Sequence, residues 1–197
     1  MKRTGIILCG GQSKRMGANK ALLKLGELTL IEHVIHIMKP ICGEIILSVN
    51  NSDLDFLPYR KIKDKIEGIG PIAGFHASLM ESNSEENLVI SCDTPFITSQ
   101  FLNVLILNSK GFDIVLPVYN QRIQTMTGFF RKSVISVIQS QMEKGNFVPV
   151  NIFENSNINL LQIQNEILLN ADQLFFNINS QEDYEKAKEI YKSLKNS

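Results

Sequence analysis

The first hundred residues alternate short β-type runs with amphipathic helical stretches, and this alternation restricts the fold more than any other feature of the chain. Gly5 to Cys9 is a short apolar run that reads as a buried strand. Leu30 to Met38 puts Leu30, Ile31, Val34, Ile35 and Met38 on one helical stripe, which Pro40 stops. Glu44 to Val49 reads as a second strand, with Asn50 at its C-terminal end. A short third strand near Ile62 and Lys63 ends at Asp64. After a loop from Gly68, Pro71 is suited to open a helix that runs through Met80. Leu88 to Ser91 is a further buried strand, leading into Cys92-Asp93, and Thr98 to Asn108 is a helix. Strands separated by helices predict an α/β fold, with a mostly parallel central sheet and helices on both faces.

The second half is less regular. Asp113 to Val118 and Thr127 to Arg131 read as strands, and Ser133 to Lys144 as a helix. Leu174 to Ile178 is expected to be a late strand, placing Asn177 and Asn179 near its end and on one face. Ser180-Gln181-Glu182-Asp183 resembles a capping box that opens the last helix. No linker or repeat divides the chain, so residues 1–197 are expected to form one domain.

Composition narrows the function classes. Lys plus Arg equals Asp plus Glu at 20 each, so there is no general electrostatic footprint for nucleic acid or an anionic membrane. An anionic ligand must be held by local charge. Cys9, Cys42 and Cys92 are widely spaced and form no CxxC, which fits a reduced compartment. The apolar run from Ile6 to Cys9 is too short for a signal sequence or a membrane span, so a cytoplasmic protein is expected.

In an open α/β sheet, ligands bind beyond the carboxyl ends of the strands, and the polar residues gather there. The loop GGQSKRMGANK, Gly10 to Lys20, follows the first strand directly. Gly10, Gly11 and Gly17 permit close backbone approach, Ser13 offers a hydroxyl, and Lys14, Arg15 and Lys20 carry charge. Amides and cations in one loop suit a polyphosphate. The loop is neither a Walker A nor a GxGxxG sequence. Asp93, at the end of a buried strand, can hold Mg²⁺ in the manner of a single carboxylate completed by substrate phosphates and water. Lys20 is expected to be an exposed loop lysine, and Cys92 a small buried hydrophobe.

Together these segments carry a family resemblance. LCGGQSKRMGANKALL resembles the Leu-x-Gly-Gly-x-Ser-x-Arg-Met-Gly-x-x-Lys opening of the molybdenum cofactor guanylyltransferases. GPIAGFHASL, Gly70 to Leu79, is similar to their Gly-Pro-Leu-Ala-Gly segment, and CDTPF to their metal-binding Cys-Asp-Thr-Pro. FFNINSQED, Phe175 to Asp183, resembles their Asn-x-Asn-Thr-Pro-Glu-Asp. Two departures stand out: Ser180-Gln181 replaces Thr-Pro, and Ile123-Gln124-Thr125 stands where a Gln/His-Pro pair is common.

The resemblance implies a Rossmann-like nucleotidyltransferase fold that transfers GMP from GTP to the terminal phosphate of molybdopterin and releases pyrophosphate. It implies Leu8, Cys9, Gly10, Gly11, Ser13, Lys20, Asn50, Asp64 and Asp93 on the nucleotide. Arg15, Lys20 and Asp93 would be catalytic, and Asp93 would hold Mg²⁺ or Mn²⁺. Gly74, Asn177 and Asn179 would face the molybdopterin acceptor. Implied partners are other molybdenum cofactor biosynthesis proteins and target apoenzymes, met transiently. Three alternatives remain open: a cytidylyltransferase for the same cofactor, a sugar-phosphate nucleotidyltransferase, and a nucleotide- or pterin-binding module without turnover.

Overall fold

The computed structural model describes residues 2–10, 19–64, 66, 69–153, 156–164 and 171–195. Strand β1 (Thr4–Leu8) is followed by a small hairpin of β2 (Lys24–Leu25) and β3 (Leu28–Thr29), then α1 (Leu30–Met38), β4 (Glu44–Ser48) and β5 (Arg60–Ile62). Next come α2 (Pro71–Glu81), β6 (Glu86–Ser91), α3 (Ser99–Leu107), β7 (Ile114–Tyr119), β8 (Arg122–Ile123) and β9 (Gly128–Arg131). The chain continues through α4 (Ile135–Glu143), α5 (Pro149–Phe153), β10 (Ile158–Gln162), α6 (Ala171–Leu174) and α7 (Gln181–Lys195).

Local chemistry sets the boundaries. Thr29 and Glu32 form a reciprocal capping box that starts α1, and all five residues of its apolar stripe are buried. Pro71 opens α2 behind Gly70, whose φ of 81° lies in the left-handed region. The Thr98 hydroxyl accepts from the Phe101 amide and caps α3.

The strands form an eight-stranded sheet in the order β10-β7-β9-β6-β1-β4-β5, with β8 paired to β7. β1 runs parallel to β4 and β6, β4 to β5, and β7 to β10. β9 alone of the inner strands is antiparallel to its neighbours β6 and β7. The chain moves outward from β1 to β4 and β5, then returns to β6 on the opposite side of β1. The strand order therefore reverses at β1, which makes its carboxyl end the expected binding crevice.

Strand alternation divides the core into two layers. Ile7, Leu47, Leu88 and Ile90 pack with α1 and α3. Ile6, Ile46 and Val89 pack with α2, α4 and α5 on the other face, where the Phe75 and Phe130 rings lie 4.8 Å apart. A third, small cluster joins Leu25 and Leu30 to Ile178 and Ala187, so α7 braces the β2–β3 hairpin. The Tyr184 hydroxyl adds a hydrogen bond to the Lys24 carbonyl at 2.5 Å. Among the described residues, no helix is long and apolar enough to cross a membrane.

The expected late strand at Leu174 to Ile178 is not present. Leu174 ends α6, and residues 175–179 follow an irregular path. A short apolar run does not by itself distinguish a strand from another buried segment. Here the apolar side chains plug the core instead: Phe175 meets Phe101 and Tyr119, each with ring centroids 5.4 Å apart. The segment is tied to its surroundings by a bond from the Ile178 amide to the Asp93 carbonyl, 3.0 Å, in place of a ladder.

Candidate functional site

Because β1, β4, β5 and β6 are parallel, their carboxyl ends share one edge. Leu8 lies in register with Ser48 on one side and Ser91 on the other. The ladder extends beyond the strands: the Cys9 amide donates to Ser48 at 2.9 Å, Cys92 to Leu8 at 3.0 Å, and Val49 to Ile62 at 3.0 Å. This edge therefore collects Leu8, Cys9, Gly10, Asn50, Asp64 and Asp93. The Leu8 and Cys9 side chains are buried in opposite core layers, which leaves their backbone as the part that can meet a ligand. Gly10 is exposed, and among the described residues no atom lies within 4 Å of a Cβ placed there. Gly11, Ser13 and Arg15, and with them Lys14 and Gly17, lie outside the described residues.

Lys20 opens a 3₁₀ turn, Lys20–Leu22, whose cap is Asn19; its side chain accepts from the Ala21 amide at 3.1 Å and donates to Asp53 at 2.9 Å. The turn directs Lys20 Nζ onto Asp93 Oδ2 in a hydrogen-bonded ion pair. The side chains are only 17% and 13% exposed, so Lys20 is not the exposed loop lysine that its neighbours in sequence suggest. The segment at Ile178 and Asn179, just before α7, lies against it. Lys20 Nζ also lies 3.4 Å from the Ile178 carbonyl and 3.4 Å from Asn179 Oδ1. The other carboxylate oxygen of Asp93 accepts from the Ser91 hydroxyl at 2.5 Å.

Asp93, Ser91, Asn177 and Asn179 line a cleft of about 240 Å³ with the segment from Ile123 to Thr127. Both asparagines thus reach the cleft, although no strand alternation puts them there. Asn179 is further held by the hydrogen bond that its backbone amide donates to Asp183 Oδ2, 3.0 Å, within the cap that opens α7.

Asn50 and Asp64 are joined twice: Asn50 Nδ2 donates to Asp64 Oδ2 at 2.8 Å, and the Asp64 amide donates to Asn50 Oδ1 at 2.9 Å. Gly74, in the first turns of α2, has Ser48 and Asp64 as its nearest neighbours, with Asp64 Oδ1 2.7 Å from where a Cβ would sit. Its surroundings are therefore those of Asp64, and Gly74 is not among the residues lining the Asn177–Asn179 cleft. Gly74→Ala is expected to destabilise the fold by about 1–3 kcal/mol through overpacking and to loosen the Asn50–Asp64 pair. A thermal melt matching the wild type would contradict that packing role.

The donor set fits a hard divalent cation. Among the described residues, no three His, Cys, Asp or Glu side chains cluster as a metal site. One carboxylate, with the remaining positions left to phosphates and water, is the arrangement in which Mg²⁺ is commonly held. The Cys9 thiol is pushed well above its ordinary range, first by its hydrogen bond with Cys92, then by burial and the charge of Asp93. It is a protonated, buried group and not a nucleophile.

Ser91, Asn19 and the Ile123–Thr127 segment were not singled out as site residues by sequence. Ser91 and Asn19 stand beside the motif residues they support, and the departure at Ile123-Gln124-Thr125 was the one available signal for the third.

The profile of the family described as "MobA-like NTP transferase domain" matches residues 5–149. A Carboxydothermus hydrogenoformans protein named "Probable molybdenum cofactor guanylyltransferase" is 30% identical over 189 residues, covering 95% of this chain and 96% of its own length. A Desulfosudis oleivorans protein named "Molybdenum cofactor guanylyltransferase" is 28% identical over 195 residues, 96% of each chain. The fold is similar to that of molybdopterin-guanine dinucleotide biosynthesis protein A from Archaeoglobus fulgidus, with a TM-score of 0.81, 22% identity, and coverage of 96% of this chain and 99% of that one. The family match takes in β1, the 3₁₀ turn that carries Lys20 and the strand ends that carry Asn50, Asp64 and Asp93, so this chain belongs to the MobA-like NTP transferases and is a nucleotidyltransferase.

Proposed function

We propose that the protein transfers GMP from GTP to the terminal phosphate of molybdopterin, forming molybdopterin guanine dinucleotide and pyrophosphate. The observation that carries this reading is the Lys20–Asp93 pair, set at the switch point of the sheet beside a polar cleft. Near-full-length similarity to proteins named molybdenum cofactor guanylyltransferase supplies the substrate class.

The attacking phosphate oxygen is already anionic at neutral pH, so no general base is required. The barrier lies in bringing one anion onto another, and catalysis rests on positioning and charge neutralisation. Lys20 would turn from Asp93 toward the triphosphate, and Arg15 would assist. Asp93 would hold Mg²⁺, or Mn²⁺ in its place, which when bound withdraws charge from the phosphates. The Leu8–Gly10 backbone with Gly11, Ser13, Asn50 and Asp64 would hold the nucleotide, and Asn177 and Asn179 would face the acceptor. Cytoplasmic placement and transient contact with cofactor-biosynthesis proteins and target apoenzymes complete the reading. Mass-spectrometric detection of the dinucleotide, dependent on both GTP and molybdopterin, tests it; pyrophosphate release that ignores molybdopterin would reject it.

Gly10 is the proposed source of base selectivity. Its φ is outside the left-handed region and no atom of the described residues lies within 4 Å of an added Cβ, so alanine there strains none of the described residues. We assign the effect of the added methyl to the ligand. Gly10→Ala is expected to raise KM for GTP and shift the GTP/CTP ratio toward CTP. The shift should be partial, since one methyl in a pocket is typically worth about 1–3 kcal/mol. Equal loss of kcat/KM for both nucleotides would reject the selectivity role.

A further inference from the structure

A second cleft adjoins the first. It has a volume of about 320 Å³, and its walls are Leu116 of β7, Val150, Asn151 and Phe153 of α5, and Ile158 and Leu160 of β10. Ile123 lines both clefts, so the apolar space and the polar space that holds Asp93 adjoin at that residue.

The chemistry of the two differs. The first carries a carboxylate, hydroxyls and amides. In the second, Val150 and Leu160 are each 43% exposed, which leaves apolar side chains open beside the polar cleft. Asn151 is the polar member of the wall, and its side-chain amide makes no hydrogen bond to the described residues. Apolar walls with one exposed amide suit a flat heteroaromatic ring: the faces lie against aliphatic side chains and the polar edge meets the amide. The volume is at the lower end of small-ligand pockets, which matches a fused ring and not a macromolecular partner.

We propose that this groove seats the pterin ring of the acceptor, with Ile123 as the step over which the molecule passes from its phosphate end at Lys20 and Asp93 to its ring end at Asn151. The assignment rests on the guanylyltransferase reading and adds to it a subsite remote from the reacting atoms. Binding energy gathered there would hold the acceptor phosphate against the nucleotide.

Two variants test the groove. Val150→Trp fills it from its half-exposed rim, and Asn151→Leu removes the amide at similar volume. Each is expected to raise KM for molybdopterin by at least about tenfold and leave GTP affinity within about twofold of wild type, as suits a subsite touched by one substrate. GTP affinity is read by calorimetry with Mg²⁺, molybdopterin binding by anaerobic pterin fluorescence, and folding by thermal melt. If both variants melt like the wild type and keep its KM for molybdopterin, the groove assignment is overturned. Equal weakening of GTP also overturns it, as does a wild-type dimer that Val150→Trp dissociates, since the groove would then belong to a second copy. A wild type that does not couple GTP to molybdopterin at all would instead bring down the guanylyltransferase reading, and this subsite with it.

Discussion

Asp93→Asn is expected to lower turnover by at least about 10²-fold, the scale of losing one electrostatic stabiliser of a transferring phosphate. The substitution keeps size and shape. The amide oxygen can still accept from Ser91, which donates to the carboxylate at 2.5 Å. What disappears is the negative charge that would draw a divalent cation to the end of β6. The deficit should therefore be deepest at limiting Mg²⁺ and shrink as Mg²⁺ or Mn²⁺ is raised. Near-normal activity at limiting Mg²⁺ would remove Asp93 from the metal.

Lys20→Ala is expected to cost about 10²–10³ in kcat/KM, the loss of one charge that neutralises the triphosphate. Its metal dependence should differ from that of Asp93→Asn, because removing the ammonium leaves the Asp93 carboxylate free; the Mg²⁺ concentration for half-activity should not rise. Stability should fall as well. The pair is largely shielded, with side chains 17% and 13% exposed, so the cost lies between the ~1 kcal/mol of an exposed pair and the ~3–5 kcal/mol of breaking a buried one. Kinetics across Mg²⁺ concentrations and a thermal melt read both effects. Normal turnover, or a variant rescued only by high Mg²⁺, would assign Lys20 a different role.

The parallel core of the fold is legible in sequence because each element carries its own signal. The α1 stripe and its Pro40 stop, Pro71 at the head of α2, and the apolar runs of β1, β4 and β6 are all local patterns. The outer part of the sheet is less so. β10 is a half-buried edge strand, and Ile158–Gln162 has neither a continuous apolar run nor clean alternation. The antiparallel direction of β9 depends on the β7–β8 hairpin, whose turn at Asn120 and Gln121 uses left-handed φ values of 47° and 61° without glycine. Leu174 to Ile178 looks like a strand because it is largely apolar, yet Phe175 is apolar because it closes the core.

The site divides the same way. Lys20 and Asp93 each stand in a recognisable segment, but their pairing spans 73 positions and exists only because β1 and β6 are neighbours. The approach of Ile178 and Asn179 to Lys20 joins two distant parts of the chain, which no local pattern encodes. The 123–127 wall of the cleft comes from a hairpin whose reach depends on its turn.

The most direct test of the central claim is a nucleotide panel with the wild-type protein. GTP, CTP, ATP and UTP are each supplied with molybdopterin and Mg²⁺, and pyrophosphate release is followed. The account predicts release that requires molybdopterin and is fastest with GTP. A preference for CTP, or release indifferent to molybdopterin, would contradict it.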